Sequence, residues 1–185
     1  MNKNLPKFYA ITNRKRFKYP LEKQIKIIKE KGAGIIQLRE KDLNSEDLYK
    51  LARKIRDLTK ELGMLLTVND RLDIAILVGA DGVHLPEKSV PISVIKKRFP
   101  YLIVGKSCHS LECALNSEKE GADYIFISPI FFVEGKGKPI GLEGLKEVIA
   151  KVKIPIYALG GINKENLKEV FKTGVYGVAS IRMFL

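Results

Sequence analysis

In Gln37-Leu38-Arg39-Glu40-Lys41 the polar residues alternate, so a strand through them aims Gln37 and Arg39 the same way. Arg39 offers a bidentate fork for a carboxylate or phosphate, and Lys41 adds charge beside it. The other reading of Arg39 is an interior salt bridge with Glu40 or Asp70. In Asn69-Asp70-Arg71, Asp70 can ligate Mg²⁺ through oxygen or cap the helix that follows, and both readings stand. Only two histidines occur, His84 and His109. His109, flanked by Ser107 and Ser110, can move a proton near neutral pH, or it is a structural imidazole at a rim. His84, two residues before Pro86, reads as structural. Gly160-Gly161, with Ala179-Ser180 further on, has the makeup of a phosphate cradle. Glycines let backbone N–H groups approach an anion, and a helix start adds positive potential. The same glycines also suit a helix-entry turn that needs φ > 0. Lys136 and Lys138 add cations in a loop before them. Cys108 and Cys113 have no metal-ligand spacing, and Cys108 alternates away from His109, so no Cys–His nucleophile pair is expected.

These residues sit at the carboxyl ends of short apolar runs. Strands are expected at 8–12, 34–39, 64–69, 82–86, 102–108, 122–130, 154–160 and 175–181. Helices are expected near 20–31, 45–62, 71–78, 92–98, 110–120, 142–151 and 163–173. The start signals are Asn44-Ser45, Ser110 and Asn163, and the stop signals are Gly32, Gly63, Gly79, Gly121 and Gly174. Strands that read as nearly continuous apolar runs are covered on both faces. Eight strands alternating with helices, and no GxGxxG after the first, predict an α/β fold: one (β/α)8 TIM barrel domain over residues 1–185. In such a barrel the chemistry lies where strands end and βα loops begin.

The length of 185 residues is short for this architecture, which takes ~250 residues and rarely fewer than ~200. After the eighth strand only Arg182–Leu185 remain, so the last helix is expected to be missing or truncated. Ile181, Met183 and Phe184 would then leave an apolar seam beside the first helix. A partner subunit would close it, which predicts a homo-oligomer, a dimer. The net charge of +12 comes mostly from lysines spread among glutamates on helix faces, which reads as a solvated surface and not as a nucleic-acid interface. No run reaches the ~18 apolar residues of a membrane span. No apolar stretch follows Met1 to mark a secretory signal, and two cysteines make no disulfide framework, so a cytoplasmic location is expected.

Several motifs carry a family resemblance: Gln37–Lys41, Asn69-Asp70-Arg71, Asp81-Gly82-Val83-His84-Leu85, Gly121-Ala122-Asp123-Tyr124, Ser128-Pro129-Ile130-Phe131, Gly141–Leu145 and Ala158-Leu159-Gly160-Gly161-Ile162. Together, in this order over nearly the whole chain, they resemble the thiamin phosphate synthase superfamily of (β/α)8 barrels. The resemblance admits two activities. A synthase joins a pyrimidine diphosphate to a thiazole phosphate and releases pyrophosphate with Mg²⁺. A thiazole tautomerase aromatises a carboxythiazole phosphate by moving a proton, without metal. The synthase pattern has an Asp where this chain has Ser89, and a Thr-x-Thr-Lys loop where it has Phe132–Lys138. The tautomerase pattern shares Leu85-Pro86 with Ser89, Arg98-Phe99-Pro100 and Ser107-Cys108-His109-Ser110. The expectation is therefore a tautomerase, an isomerase without a cofactor, with His109 as the catalytic acid/base. Its phosphorylated thiazole would be bound by Gln37, Arg39, Lys41, Asn69, Ser107, Lys138, Gly160, Gly161, Ala179 and Ser180. The alternative is a synthase, a transferase with Asp70 on Mg²⁺ and Glu87 or Ser89 in place of the missing ligand; a second is a non-catalytic protein that binds thiazole phosphate.

Overall fold

The computed structural model describes residues 4–185; residues 1–3, at the head of the expected domain and leaderless N-terminus, lie outside the described residues. The apolar runs form β1 (Phe8–Ile11), β2 (Ile35–Leu38), β3 (Leu65–Asn69), β4 (Gly82–Leu85), β5 (Ile103–Cys108), β6 (Tyr124–Ile127), β7 (Ile156–Leu159) and β8 (Gly177–Ser180). Between them lie α1 (Leu21–Glu30), α2 (Ser45–Glu61), α3 (Leu72–Leu77), α4 (Ile92–Arg98), α5 (Leu111–Lys119), α6 (Gly141–Lys151) and α7 (Leu167–Lys172). Each strand pairs in parallel with its neighbour in sequence, and β1 closes on β8 with Tyr9 opposite Ala179. The fold is thus the expected (β/α)8 barrel. Asn44 and Ser110 cap α2 and α5 by accepting from the N–H of Asp47 and of Cys113, as their residue types predict.

Alternation divides the apolar residues into two cores. One layer lies between strands and helices and includes Ile25, Ile28, Ile36, Val68, Val104 and Ile125. The other fills the barrel with Tyr9, Ile35, Ile103, Tyr124, Phe126 and Tyr157. The inner rings meet edge-on, Tyr9 against Phe126 at 4.8 Å and against Tyr157 at 5.3 Å, a favourable arrangement of ring quadrupoles. Glycine makes room for them: a Cβ on Gly105 would lie 2.0 Å from the Tyr124 ring. Gly105→Ala is expected to cost about 2–3 kcal/mol through overpacking, read as a lower urea midpoint at unchanged slope; an unchanged midpoint would refute this account of the core.

Asp81 and Asp123 recur at equivalent places, just before β4 and β6. Asp81 accepts from the Leu66 N–H at 2.8 Å and pairs with Arg56 at 2.6 Å. Asp123 accepts from the Val104 N–H at 2.7 Å and pairs with Lys96. Both serve the frame. On the surface, Lys50–Glu46 and Lys151–Glu147 pair one helical turn apart, the solvated pattern that the Lys/Glu spacing predicts.

Two expectations need correction. The helix expected over 163–173 begins at Leu167. Asn163 accepts the N–H groups of Glu165 and Asn166, and Asn166 donates to the Gly161 carbonyl. That Asx turn competes with the first helical turn. After β8 the chain continues as a 3₁₀ turn, Arg182–Phe184. It folds Phe184 into the layer beside α1, where it is 1% exposed and its carbonyl accepts from Gln24 Nε2 at 2.8 Å. Met183 packs partly buried against the same layer and Ile181 against the inner core. The chain itself therefore covers the apolar seam expected for a partner subunit.

Candidate active site at the carboxyl ends of the strands

A cavity of about 970 Å³ opens at the carboxyl ends of the strands, near the upper size of small-molecule pockets. Gln37, Arg39, Lys41, Asn69, Ser107, His109, Gly160, Gly161 and Ser180 all line it. Strand pairing brings them together: β2, β3, β5 and β8 end at the same rim, with Gln37 opposite Thr67 and Asn69 opposite His84. Two expected residues lie elsewhere. Ala179 is buried in the inner core. Lys138 is exposed and outside the cavity, whereas Lys136 lines it. A turn in which Lys136 N–H donates to the Val133 carbonyl, with Gly135 at φ +72°, folds Lys136 back over the mouth.

The charge partners decide between the two readings of Arg39. The Glu40 carboxylate is buried and taken by Arg14, through its backbone N–H at 3.0 Å and its guanidinium at 3.0 Å. Arg14 also grips Asp42, which holds the Asp42 carboxyl well below its usual range. Arg71 pairs with Asp73 at 2.7 Å. Among the described residues no carboxylate forms a salt bridge with Arg39, so its guanidinium faces the cavity as a free cation. Nearby, Gln37 is 1% exposed and its Nε2 makes no well-formed hydrogen bond, with the Tyr9 hydroxyl close to its side chain. A buried amide donor left unpaired costs about 1–3 kcal/mol, which a ligand acceptor would recover. Arg16, Lys164 and Arg182 also line the mouth. Sequence reasoning passed over them because nothing in a linear pattern separates them from the surrounding surface cations.

His84 is buried, with Nδ1 3.0 Å from the Tyr124 hydroxyl and Nε2 2.9 Å from Ser107 Oγ. Burial, and then the Arg39 charge, lower its pKa to about 3, so the ring is neutral. His109 Nδ1 lies 2.7 Å from the Ser128 carbonyl, which only a protonated nitrogen can approach as donor. Cys108 is buried with Cys113 Sγ 2.8 Å from its own sulfur. The Cys113 sulfur and burial push the Cys108 thiol far up, which keeps it protonated and inert.

Gly160 and Gly161 hold φ of +103° and +69°. Both also touch the loop after β6: a Cβ would meet Pro129 at 2.9 Å from Gly160 and Phe131 at 2.6 Å from Gly161. Glycine is therefore required twice over, for conformation and for close approach. At the other rim Asp70 has φ +60°, alone among the described non-glycine residues. Its N–H donates to the His84 carbonyl, and Ser89 Oγ approaches its carboxylate at 3.4 Å. Asp70 does not cap α3, whose cap carries no side-chain bond. Mg²⁺ takes oxygen ligands from one or two carboxylates together with substrate phosphates. Asp70 and Ser89 lie outside the lining of the cavity, which Glu87 joins, and among the described residues no three His, Cys, Asp or Glu side chains gather at one place; Asp70, with substrate phosphates, is the donor set left for that ion.

A (β/α)8 barrel with a cationic, glycine-lined cavity at its strand ends is the frame of an enzyme for small phosphorylated molecules. The chain belongs to the thiamine monophosphate synthase family, whose profile matches residues 8–184. It is 54% identical over 98% of both chains to the putative thiamine-phosphate synthase 2 of Aquifex aeolicus. It is 45% identical to the thiamine-phosphate synthase of Pyrococcus furiosus, over 97% of this chain and 86% of that one. The structure of thiamine phosphate pyrophosphorylase from Pyrococcus furiosus superposes with a TM-score of 0.88 at 43% identity, covering 97% of this chain and 87% of that chain. These likenesses overturn the tautomerase expectation, and with it the isomerase class. At position 89 a neutral hydroxyl stands in place of the Asp and donates to Asp70 at 3.4 Å. Among the described residues no helix is long and apolar enough to cross a membrane.

Proposed function

We propose that the protein is a thiamine-phosphate synthase, a transferase that joins a pyrimidine diphosphate to a thiazole phosphate and releases pyrophosphate. The observation that carries this reading is the near full-length likeness to synthases at 45–54% identity. The cavity agrees with it, because cations (Arg16, Lys31, Arg39, Lys41, Lys136, Lys164 and Arg182) outnumber the carboxylates Glu87, Glu134 and Glu165 in its lining.

As the bond to the diphosphate breaks, its electron pair leaves with the oxygen, and the thiazole nitrogen supplies the pair for the new bond to the carbon so freed. The guanidinium of Arg39, with Lys41 and Lys136 in the lining of the same cavity, stabilises that growing charge. Gln37 and Asn69 orient the pyrimidine diphosphate with uncharged donors. The backbone at Gly160-Gly161, with the Ser180 hydroxyl, receives the phosphate of the thiazole. Holding both substrates in one cavity converts a bimolecular encounter into a positioned one. Mg²⁺, when bound, neutralises further charge on the diphosphate oxygens, and Asp70 would hold it. The substrates are small and soluble, so the site of action is the cytoplasm, without nucleic acid or membrane.

The test supplies both substrates and follows pyrophosphate. Release that requires Mg²⁺ and stops with EDTA is expected, with thiamine phosphate formed in equal amount. Pyrophosphate without condensed product, or no turnover at any Mg²⁺ concentration, would sink the assignment. Asp70→Asn is expected to raise the Mg²⁺ concentration for half-maximal rate about tenfold or more, as the loss of a hard anionic ligand requires.

A further inference from the structure

A line of polar side chains crosses the barrel interior from β3 to the cavity. Thr67 Oγ1 donates to the Ile36 carbonyl at 3.5 Å and lies 2.6 Å from the Tyr9 hydroxyl. The Tyr9 hydroxyl is 2.7 Å from that of Tyr124. Tyr124 and Ser107 then flank the two ring nitrogens of His84, as described above. Tyr9, Thr67 and Tyr124 are fully buried and His84 is 2% exposed, so the line is shielded from bulk solvent.

Proton counting gives the line a direction. A carbonyl only accepts, so the single hydroxyl proton of Thr67 goes to Ile36. The Tyr9 proton must then go to Thr67, and the Tyr124 proton to Tyr9. Burial keeps both phenols protonated, raising Tyr9 to about 12 and Tyr124 well above its ordinary value. With its own proton committed, the Tyr124 oxygen accepts from His84 Nδ1–H. A neutral imidazole carries one N–H, so Nε2 is an acceptor and takes the proton of Ser107.

We propose that this chain, anchored on the Ile36 carbonyl, holds His84 as the Nδ1–H tautomer and leaves Ser107 only lone pairs to offer the cavity. Ser107 is then a specificity-determining acceptor: it selects a heteroaromatic ring that presents an N–H donor, such as an amino-substituted pyrimidine, over one that presents an acceptor. Thr67, Tyr9, Tyr124 and His84 are positioning residues that act through Ser107. The substrate half rests on the synthase reading; the tautomer half does not.

The first measurement is ¹⁵N NMR of histidine-labelled, full-length protein without substrate, the His84 signals being assigned by their loss in His84→Gln. The expected result is a protonated, pyrrole-type Nδ1 and a pyridine-type Nε2. A protonated Nε2 overturns the proposal. Thr67→Val removes the anchor, frees the Tyr9 proton to turn toward Tyr124 and is expected to mix the tautomers, while Thr67→Ser restores the single form. A single Nδ1–H form in Thr67→Val also overturns it, and should that variant fail to fold, the wild-type spectrum decides. In the second arm, an analogue with the amino group replaced by an oxo acceptor is expected to raise KM roughly three- to tenfold, the worth of one hydrogen bond, with kcat little changed. In Ser107→Ala that discrimination should vanish. Equal KM for both rings in the wild type overturns the specificity claim. Absence of turnover with either ring, beside the expected spectrum, rejects the synthase reading and leaves the chain standing.

Discussion

Arg39→Ala is expected to lower kcat/KM for the pyrimidine diphosphate by about 10²–10³-fold, the cost of removing one preorganised charge-stabilising donor. The guanidinium is available because Arg14 occupies Glu40 and Asp42, so no carboxylate needs to be displaced when the substrate arrives. Arg39→Lys should recover only part of the loss, since an ammonium keeps the charge but lacks the planar fork. Most of the effect should fall on kcat, because the diphosphate gains charge as it departs. The substitution leaves no buried carboxylate unpaired, so the urea midpoint should move little. Steady-state kinetics beside urea unfolding check both halves. A loss of activity that merely tracked a loss of folded protein would show Arg39 to be structural.

Acid should destabilise the protein through His84, by about 1.4 kcal/mol per pH unit once the pH falls below the ordinary histidine value of 6.5. The folded-state pKa is depressed to about 3, so between these values the unfolded chain binds a proton that the folded chain refuses. Stability therefore rises with pH across this window and is lost as the pH falls. The stabilising share of His84 is complete above 6.5. The physical cause is burial against Phe126, with ring centroids 4.1 Å apart, and the nearby Arg39 charge. His84→Gln keeps a donor and an acceptor without the titration, so its stability should fall less steeply from pH 6.5 to 4.5. Urea unfolding of both proteins across that range separates this contribution from that of the carboxylates. Parallel curves would show that His84 is hydrated and ordinary.

The relatives share this frame, but the reading of Ser89 shows how far a linear pattern reaches. An absent Asp looked like an absent metal and an absent reaction. In space Ser89 stands beside Asp70, whose left-handed backbone turns its carboxylate toward the hydroxyl. The tail teaches the same lesson: a missing eighth helix looked like an unfilled seam, until a single 3₁₀ turn placed Phe184 in it.

What the amino-acid sequence determined by itself is the rhythm of strands and helices, the closed barrel and the rim residues at its strand ends. Those follow from local period and from alternation, which a linear pattern carries in full. Only the tertiary structure decided which charges are free. Arg39 is unpaired because residues 26 and 28 positions apart, Arg14 with Glu40 and with Asp42, meet across the βα loops. Likewise Thr67, Tyr9, Tyr124, His84 and Ser107 come from five strands that touch only once the barrel closes. Ion pairs and hydrogen-bond polarity depend on distances of a few ångströms between segments far apart in the chain, and no periodicity records those distances.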